Sequence, residues 1–179
     1  EQHKQSPYVF LGNIDPVLQK NVLQQVNQGA VVGCDTMNYW IVSKKKELED
    51  VINHIDILFI NEDELKMLTE ESNIFAATEK LFESNVKYVI IKRGEYGSIL
   101  YGDDLLFFVP VYPVKKVVDP TGAGDSFAGS FMGYIAEENN LRAETLRKAM
   151  LYATVMASVN IQSFSVNALD ETNRQEIDK

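Results

Sequence analysis

Four short apolar runs recur along this chain, at residues 8–11, 31–34, 57–60 and 88–91, and each of the first three is followed by a helical pattern. The runs do not alternate apolar with polar, so both faces of each strand expect cover. After the first run, Pro16 suits the opening turn of a helix. Val17, Leu18, Val22, Leu23 and Val26 then repeat at helical spacing, and Gly29 fits the stop. Residues 45–54 read as a second helix with Leu48, Val51 and Ile52 inward, and residues 62–69 and 74–84 as two short ones. Uniformly apolar strands alternating with amphipathic helices predict a mostly parallel sheet covered on both faces, an α/β fold.

The pattern changes after the fourth run. Residues 98–101 and 105–109 flank Gly102-Asp103-Asp104 and read as a hairpin. Pro110 and Pro113 mark an irregular connection. Long helical patterns follow at about 123–138 and 143–161, and residues 172–179 suit a last short helix. Repeats, linkers and low-complexity segments are absent. A length of 179 residues fits one domain with a real core, so residues 1–179 are expected to form a single α/β unit.

Charge and apolar content narrow the function. A net charge of −9 argues against nucleic-acid binding, which wants a basic face. Lys44-Lys45-Lys46, the one basic run, is followed by acids and reads as a solvated helix face. No apolar run approaches the ~20 residues of a membrane span. Glu1-Gln2-His3-Lys4-Gln5 lacks the apolar core of a signal peptide and an initiator Met, so the chain is expected to be processed or to begin inside a longer product. Cys34 has no partner cysteine and reads as a buried structural thiol, and His3 and His54 lack zinc-ligand spacing. These features fit a reducing, cytoplasmic compartment.

Asp119-Pro120-Thr121-Gly122-Ala123-Gly124-Asp125 carries the chemistry. Glycines let backbone N–H groups approach a ligand, and the helix that follows aims further N–H groups and a positive dipole end at the same point. Gly122, Ala123 and Gly124 would hold a phosphate in flight, and Asp125 would take the proton of an attacking hydroxyl. The segment therefore points to phosphoryl transfer. A Walker A loop is absent. A dinucleotide fingerprint fails because its third glycine position falls on Phe127. Ligands bind beyond the carboxyl ends of parallel strands, a rule that groups this segment with Asn61-Glu62-Asp63-Glu64 and Lys92-Arg93-Gly94-Glu95-Tyr96-Gly97. Asn61 and Glu64 offer oxygen ligands to hydrated Mg²⁺. Lys92 would touch phosphate, and Gly94 and Gly97 would let the loop lie against a nucleotide. Plainer readings stand beside these. Asn61 and Glu64 make a capping box, Lys92 and Arg93 are a strand end reaching solvent, and Ser158 and Asn160 are ordinary helix packing. Phe127, Phe131 and Met132 are most simply core.

The residues 119–129, Asp-Pro-Thr-Gly-Ala-Gly-Asp-Ser-Phe-Ala-Gly, resemble the C-terminal signature of the ribokinase-like (PfkB) carbohydrate kinases. Asn61-Glu-Asp-Glu64 is similar to that family's N-x-x-E motif, Lys92 to Gly97 to its nucleotide loop, and Ala157 to Ser165 to the helix and loop that close over adenine. The resemblance covers nearly the whole chain. It implies a ribokinase-like three-layer α/β/α fold and ATP- and Mg²⁺-dependent phosphorylation of a sugar or nucleoside hydroxyl, with Asp125 as base. It further implies nucleotide contacts at Ser158 and Phe164, and a monovalent cation such as K⁺ with Asp119 among its ligands. Ser165 stands where many members have glycine, and Lys92 where many have threonine. Nothing in residues 1–60 resembles the family's di-glycine sugar-binding motif or β lid. The chain thus resembles a C-terminal part, with the N-terminal part and lid missing. A non-catalytic nucleotide-binding fragment is the alternative. An edge strand near Tyr8 would favour a homodimer. Asp35-Thr36-Met37-Asn38-Tyr39-Trp40 resembles a subgroup of open sugar specificity, with Asn38 and Trp40 as candidate site residues and packing as the other role of Trp40.

Overall fold

The structure is a computed structural model that describes residues 4–102 and 104–177. In chain order the elements are β1 (Tyr8–Leu11), α1 (Pro16–Leu23), β2 (Val31–Asp35), α2 (Asn38–Ser43), α3 (Lys45–Ile52), β3 (Ile57–Asn61), α4 (Glu62–Thr69), α5 (Ile74–Leu81), β4 (Tyr88–Lys92), β5 (Ser98–Gly102), β6 (Leu105–Val109), α6 (Ala123–Glu138), α7 (Ala143–Asn160), α8 (Asn167–Glu171) and α9 (Arg174–Ile177). The six strands form one sheet in the order β1-β2-β3-β4-β5-β6. Among β1 to β4 every pairing is parallel, and one register row runs Leu11, Cys34, Leu58, Val89. The expected hairpin strands, β5 and β6, are neighbours in the sheet. Asp103, in their connection, lies outside the described residues. So do Lys179 and its neighbour at the end of the last expected helix, of which α9 is the described part.

The chain divides into two compact units. One holds the residues up to Arg93 together with Ile99–Leu106, and the other Gly94–Ser98 with the residues from Phe107 on. In the first, Val32, Cys34, Leu58, Ile60, Val89 and Ile91 form a core with Leu48 and Val51 of α3, Leu65 and Leu68 of α4, and Ala77 and Leu81 of α5. The strand residues pointing the other way, Ile57, Phe59 and Ile90, are equally closed to water. Burial on both faces is why these strands read as continuous apolar runs. In the second unit α6 and α7 pack along each other, burying Phe127, Phe131 and Ile135 with Leu146, Ala149 and Met150.

Two departures from expectation have physical causes. On α1, Leu23 and Val26 pack against the core as the periodicity predicts, whereas Val17, Leu18 and Val22 are exposed. A polar residue sets the helix rotation instead: Gln19 is 1% exposed and its Nε2 donates to Gly12 O at 2.9 Å and Asp35 O at 3.2 Å. The short helix α2 was not foreseen, because its six residues lack a capping signal and a full apolar period. Among the described residues no helix is long and apolar enough to cross a membrane.

Leu58, wholly buried at the centre of the register row, is the position where truncation should cost most. Leu58→Ala is expected to lower unfolding free energy by about 3 kcal/mol in urea titration. Val42→Ala, at a position 76% exposed, should stay within about 0.5 kcal/mol of the parent.

Candidate functional site

In the first unit the polar groups stand at the carboxyl ends of the strands. Asn61 is the last residue of β3 and the N-cap of α4. Its Oδ1 accepts from Glu64 N at 2.8 Å, and Glu64 Oε2 accepts from Asn61 N at 3.0 Å, a complete capping box. The plain reading of this pair is therefore met. It also holds both side-chain oxygens in place. Glu64 is buried, and burial pushes its carboxyl above the usual range, while the Asn61 N–H and the positive charge of Lys92 work the other way. A carboxylate held where water is scarce gains from a cation nearby. Among the described residues no three His, Cys, Asp or Glu side chains gather into a metal cage.

Lys92, the last residue of β4, donates to both oxygens of Asp35, at 2.8 and 2.7 Å. Asp35 ends β2 and also accepts from Thr36 N at 2.9 Å. Sequence reasoning missed Asp35. Its signal was an acid closing an apolar strand, at the start of the very stretch in which Asn38 and Trp40 drew attention. Asn38 is exposed, and its backbone N–H reaches the Glu64 carboxylate. Trp40 is half-buried and donates from Nε1 to Asn13 Oδ1 at 3.0 Å, a packing role. Next to Lys92, Arg93 pairs with Glu62 at 2.7 Å, and Lys66 joins from the other side, holding the Glu62 carboxyl below its usual range. A separate cleft of about 470 Å³, lined by Lys45, Glu49, Leu68, Glu70 and Lys80, contains none of the candidate residues.

The second unit holds the glycine turn. Gly122 caps α6 with φ of 80°, the left-handed region that favours glycine, and no side chain fills the cap. Ala123 N donates to Pro120 O, while the N–H groups of Gly122, Gly124 and Asp125 have no acceptor among the described residues. These are the open donors of a helix N-terminus. Asp125 is exposed in the first turn of α6. Asp119 accepts from Thr121 N at 2.9 Å and from the Ser165 backbone, which hold its carboxyl below the usual range. Ile161 O accepts from Val118 N at 2.8 Å and Asp119 N at 3.3 Å, so the end of α7 supports the start of the turn.

Asn160 lies beneath the same turn. It is 2% exposed, its Nδ2 donates to Ser165 O at 3.2 Å, and a Cβ added to Gly122 would sit 3.8 Å from its amide. The Ser165 peptide is thus held on both sides, by Asp119 at its N–H and Asn160 at its carbonyl. Ser165 has φ of 57°, so the chain keeps a glycine-type backbone without the glycine. Ser158 is buried and donates to Val155 O at 2.6 Å, the helix-packing arrangement, whereas Phe164 is 71% exposed. In the loop before β5, Gly94 opens a 3₁₀ turn with open space around it, while a Cβ on Gly97 would fall 2.0 Å from Val109 O. Gly97 is thus fixed by packing, and Gly94 stands in open space.

The model of the pfkB family carbohydrate kinases matches residues 4–173. The chain is 38% identical over 123 residues to a bifunctional ribokinase/ribose-5-phosphate isomerase A of Fructilactobacillus sanfranciscensis, covering 65% of this chain and 22% of that protein. It is 33% identical over 130 residues to a cytidine kinase of Thermococcus kodakarensis, covering 68% of this chain and 46% of that protein. The chain therefore spans less than half the length of these relatives. Its fold matches an aminoimidazole riboside kinase from Salmonella enterica, solved with aminoimidazole riboside and an ATP analogue. That match has a TM-score of 0.79 at 20% identity and covers 98% of this chain and 62% of that one.

The left-handed Ser165 gives a direct check on the loop. Ser165→Gly removes a side chain from a strained backbone and should raise stability by about 1 kcal/mol, read as an increase in Tm. A fall in Tm would show that the serine side chain contributes more than its backbone strain costs.

Proposed function

The chain belongs to the pfkB family of carbohydrate kinases, and from that premise we propose that it carries the nucleotide-, metal- and base-bearing part of an ATP-dependent phosphotransferase. The acceptor is a hydroxyl of a small sugar or nucleoside. The observation that carries this reading is the Gly122 turn: open backbone N–H donors and a helix dipole beside an exposed Asp125. Such donors stabilise charge as it develops on a phosphoryl group in transfer. Asp125 accepts the proton of the attacking hydroxyl in the step.

The other residues take supporting roles. Glu64 and Asn61 hold hydrated Mg²⁺, which when bound neutralises charge on the nucleotide phosphates. Lys92 meets a phosphate oxygen. Gly94 lets its loop approach the nucleotide, Gly97 holds that loop in shape, and exposed Phe164 offers an aromatic face to the base. Ser158 acts through helix packing at the same place. Asp119, a low-pKa carboxylate already gripping two backbone N–H groups, shares in binding a monovalent cation such as K⁺. A lone thiol at Cys34, buried and pushed well up in pKa by that burial, fits a reducing cytoplasm. β1, at one end of the sheet order, is the strand through which two copies would pair as a homodimer.

A second reading, a nucleotide-binding fragment without turnover, is favoured by the short span of the chain against its relatives. Asp125→Asn in the full-length gene product separates the two. Under the enzyme reading kcat falls about 10³-fold, while Mg-ATP affinity by calorimetry stays within about twofold, since Asp125 does not hold the nucleotide. Turnover that survives the substitution removes Asp125 as the base. A parent protein that is stabilised by Mg-ATP yet turns over no sugar or nucleoside supports the fragment.

A further inference from the structure

The first unit contains a largely buried ion pair at the ends of two strands, Asp35 with Lys92. Asp35 and Lys92 close two strands that are not neighbours, since β3 lies between them, so the Lys92 side chain must cross the end of β3. Burying such a pair is a poor way to gain stability, because desolvating both charges offsets most of their attraction. Its orientation is more telling. The carboxylate is the inner member, with its side chain 5% exposed, and the ammonium the outer one, at 19%. An ammonium has three donors. Two go to Asp35, and the third has no acceptor among the described residues. The pair therefore presents a positive N–H outward, in the same register row as Asn61, the N-cap of α4. A cation-binding role would require the opposite arrangement, with the carboxylate outermost.

We propose that Asp35 is a positioning residue for nucleotide binding: it holds the Lys92 ammonium extended across the end of β3, with its third proton aimed at a phosphate oxygen of the nucleotide. This rests on the kinase reading above and adds the residue that fixes the cation. A lysine without this anchor would lose side-chain entropy on binding, the cost that preorganisation avoids. The phosphate meets a donor already in place, and Asp35 never touches the ligand.

The test is calorimetric titration of this chain with Mg-ADP and, separately, with adenosine. The variants are Asp35→Asn, Lys92→Met and the double variant. Lys92→Met alone leaves a buried carboxylate unpaired and risks unfolding, whereas the double variant removes both charges and keeps the comparison open. Mg-ADP should bind about tenfold more weakly to Asp35→Asn and to the double variant, the scale of one charged hydrogen bond. Adenosine should bind all folded variants within about twofold of the parent, because it carries no phosphate. A pair that only supports the fold would lower Tm and leave the ratio of the two affinities unchanged, which overturns the proposal. So would an Asp35→Asn variant that binds Mg-ADP like the parent while the double variant does not, because Lys92 would then need no anchor. A parent chain that binds neither ligand rejects the nucleotide reading itself, a failure distinct from an unmoved ratio.

Discussion

Parallel pairing of β1 to β4 is the constraint from which the first unit follows. Parallel neighbours need a crossover between them, so every strand ends at the same side of the sheet and every turn into a helix begins there. Asp35, Asn61 and Lys92 are the last residues of β2, β3 and β4. Nothing in their sequence spacing brings them together; the register does. Antiparallel pairing of any one of these strands would send its last residue to the other end of the sheet.

Dryness then gives those residues their chemistry. Each strand is apolar until its last position, so the first polar group on each emerges from a medium that penalises charge. The charges answer one another. Lys92 neutralises Asp35, the Asn61 backbone satisfies Glu64, and burial still leaves the Glu64 carboxyl above its usual range. The second unit reaches its chemistry by another route, through backbone donors held open by a left-handed glycine and braced from below by the end of α7.

Local features were legible in the sequence and distant ones were not. The glycine turn, the bounds of α6 and the capping box at Asn61 and Glu64 depend on neighbours within a few residues, and all could be read directly. The anchor of Lys92 lies 57 residues away, and periodicity says nothing about a partner at that separation. The rotation of α1 was misread for a related reason. A buried amide, Gln19, outweighs three apolar side chains, because its bonds to Gly12 O and Asp35 O exist only in the folded chain. Ser165 shows that a departure in sequence need not be one in structure, since the backbone keeps the left-handed conformation.

The central proposal is that the open N–H donors of the glycine turn, Gly122 to Asp125, receive a phosphate of the nucleotide. Backbone amide shifts of the ¹⁵N-labelled chain, followed as Mg-ADP is added, test it most directly. The account predicts that the amides of Gly122 to Asp125 move along a saturating curve. Shifts confined to the cleft lined by Lys45, Glu70 and Lys80, with Gly122 to Asp125 unmoved, would contradict it.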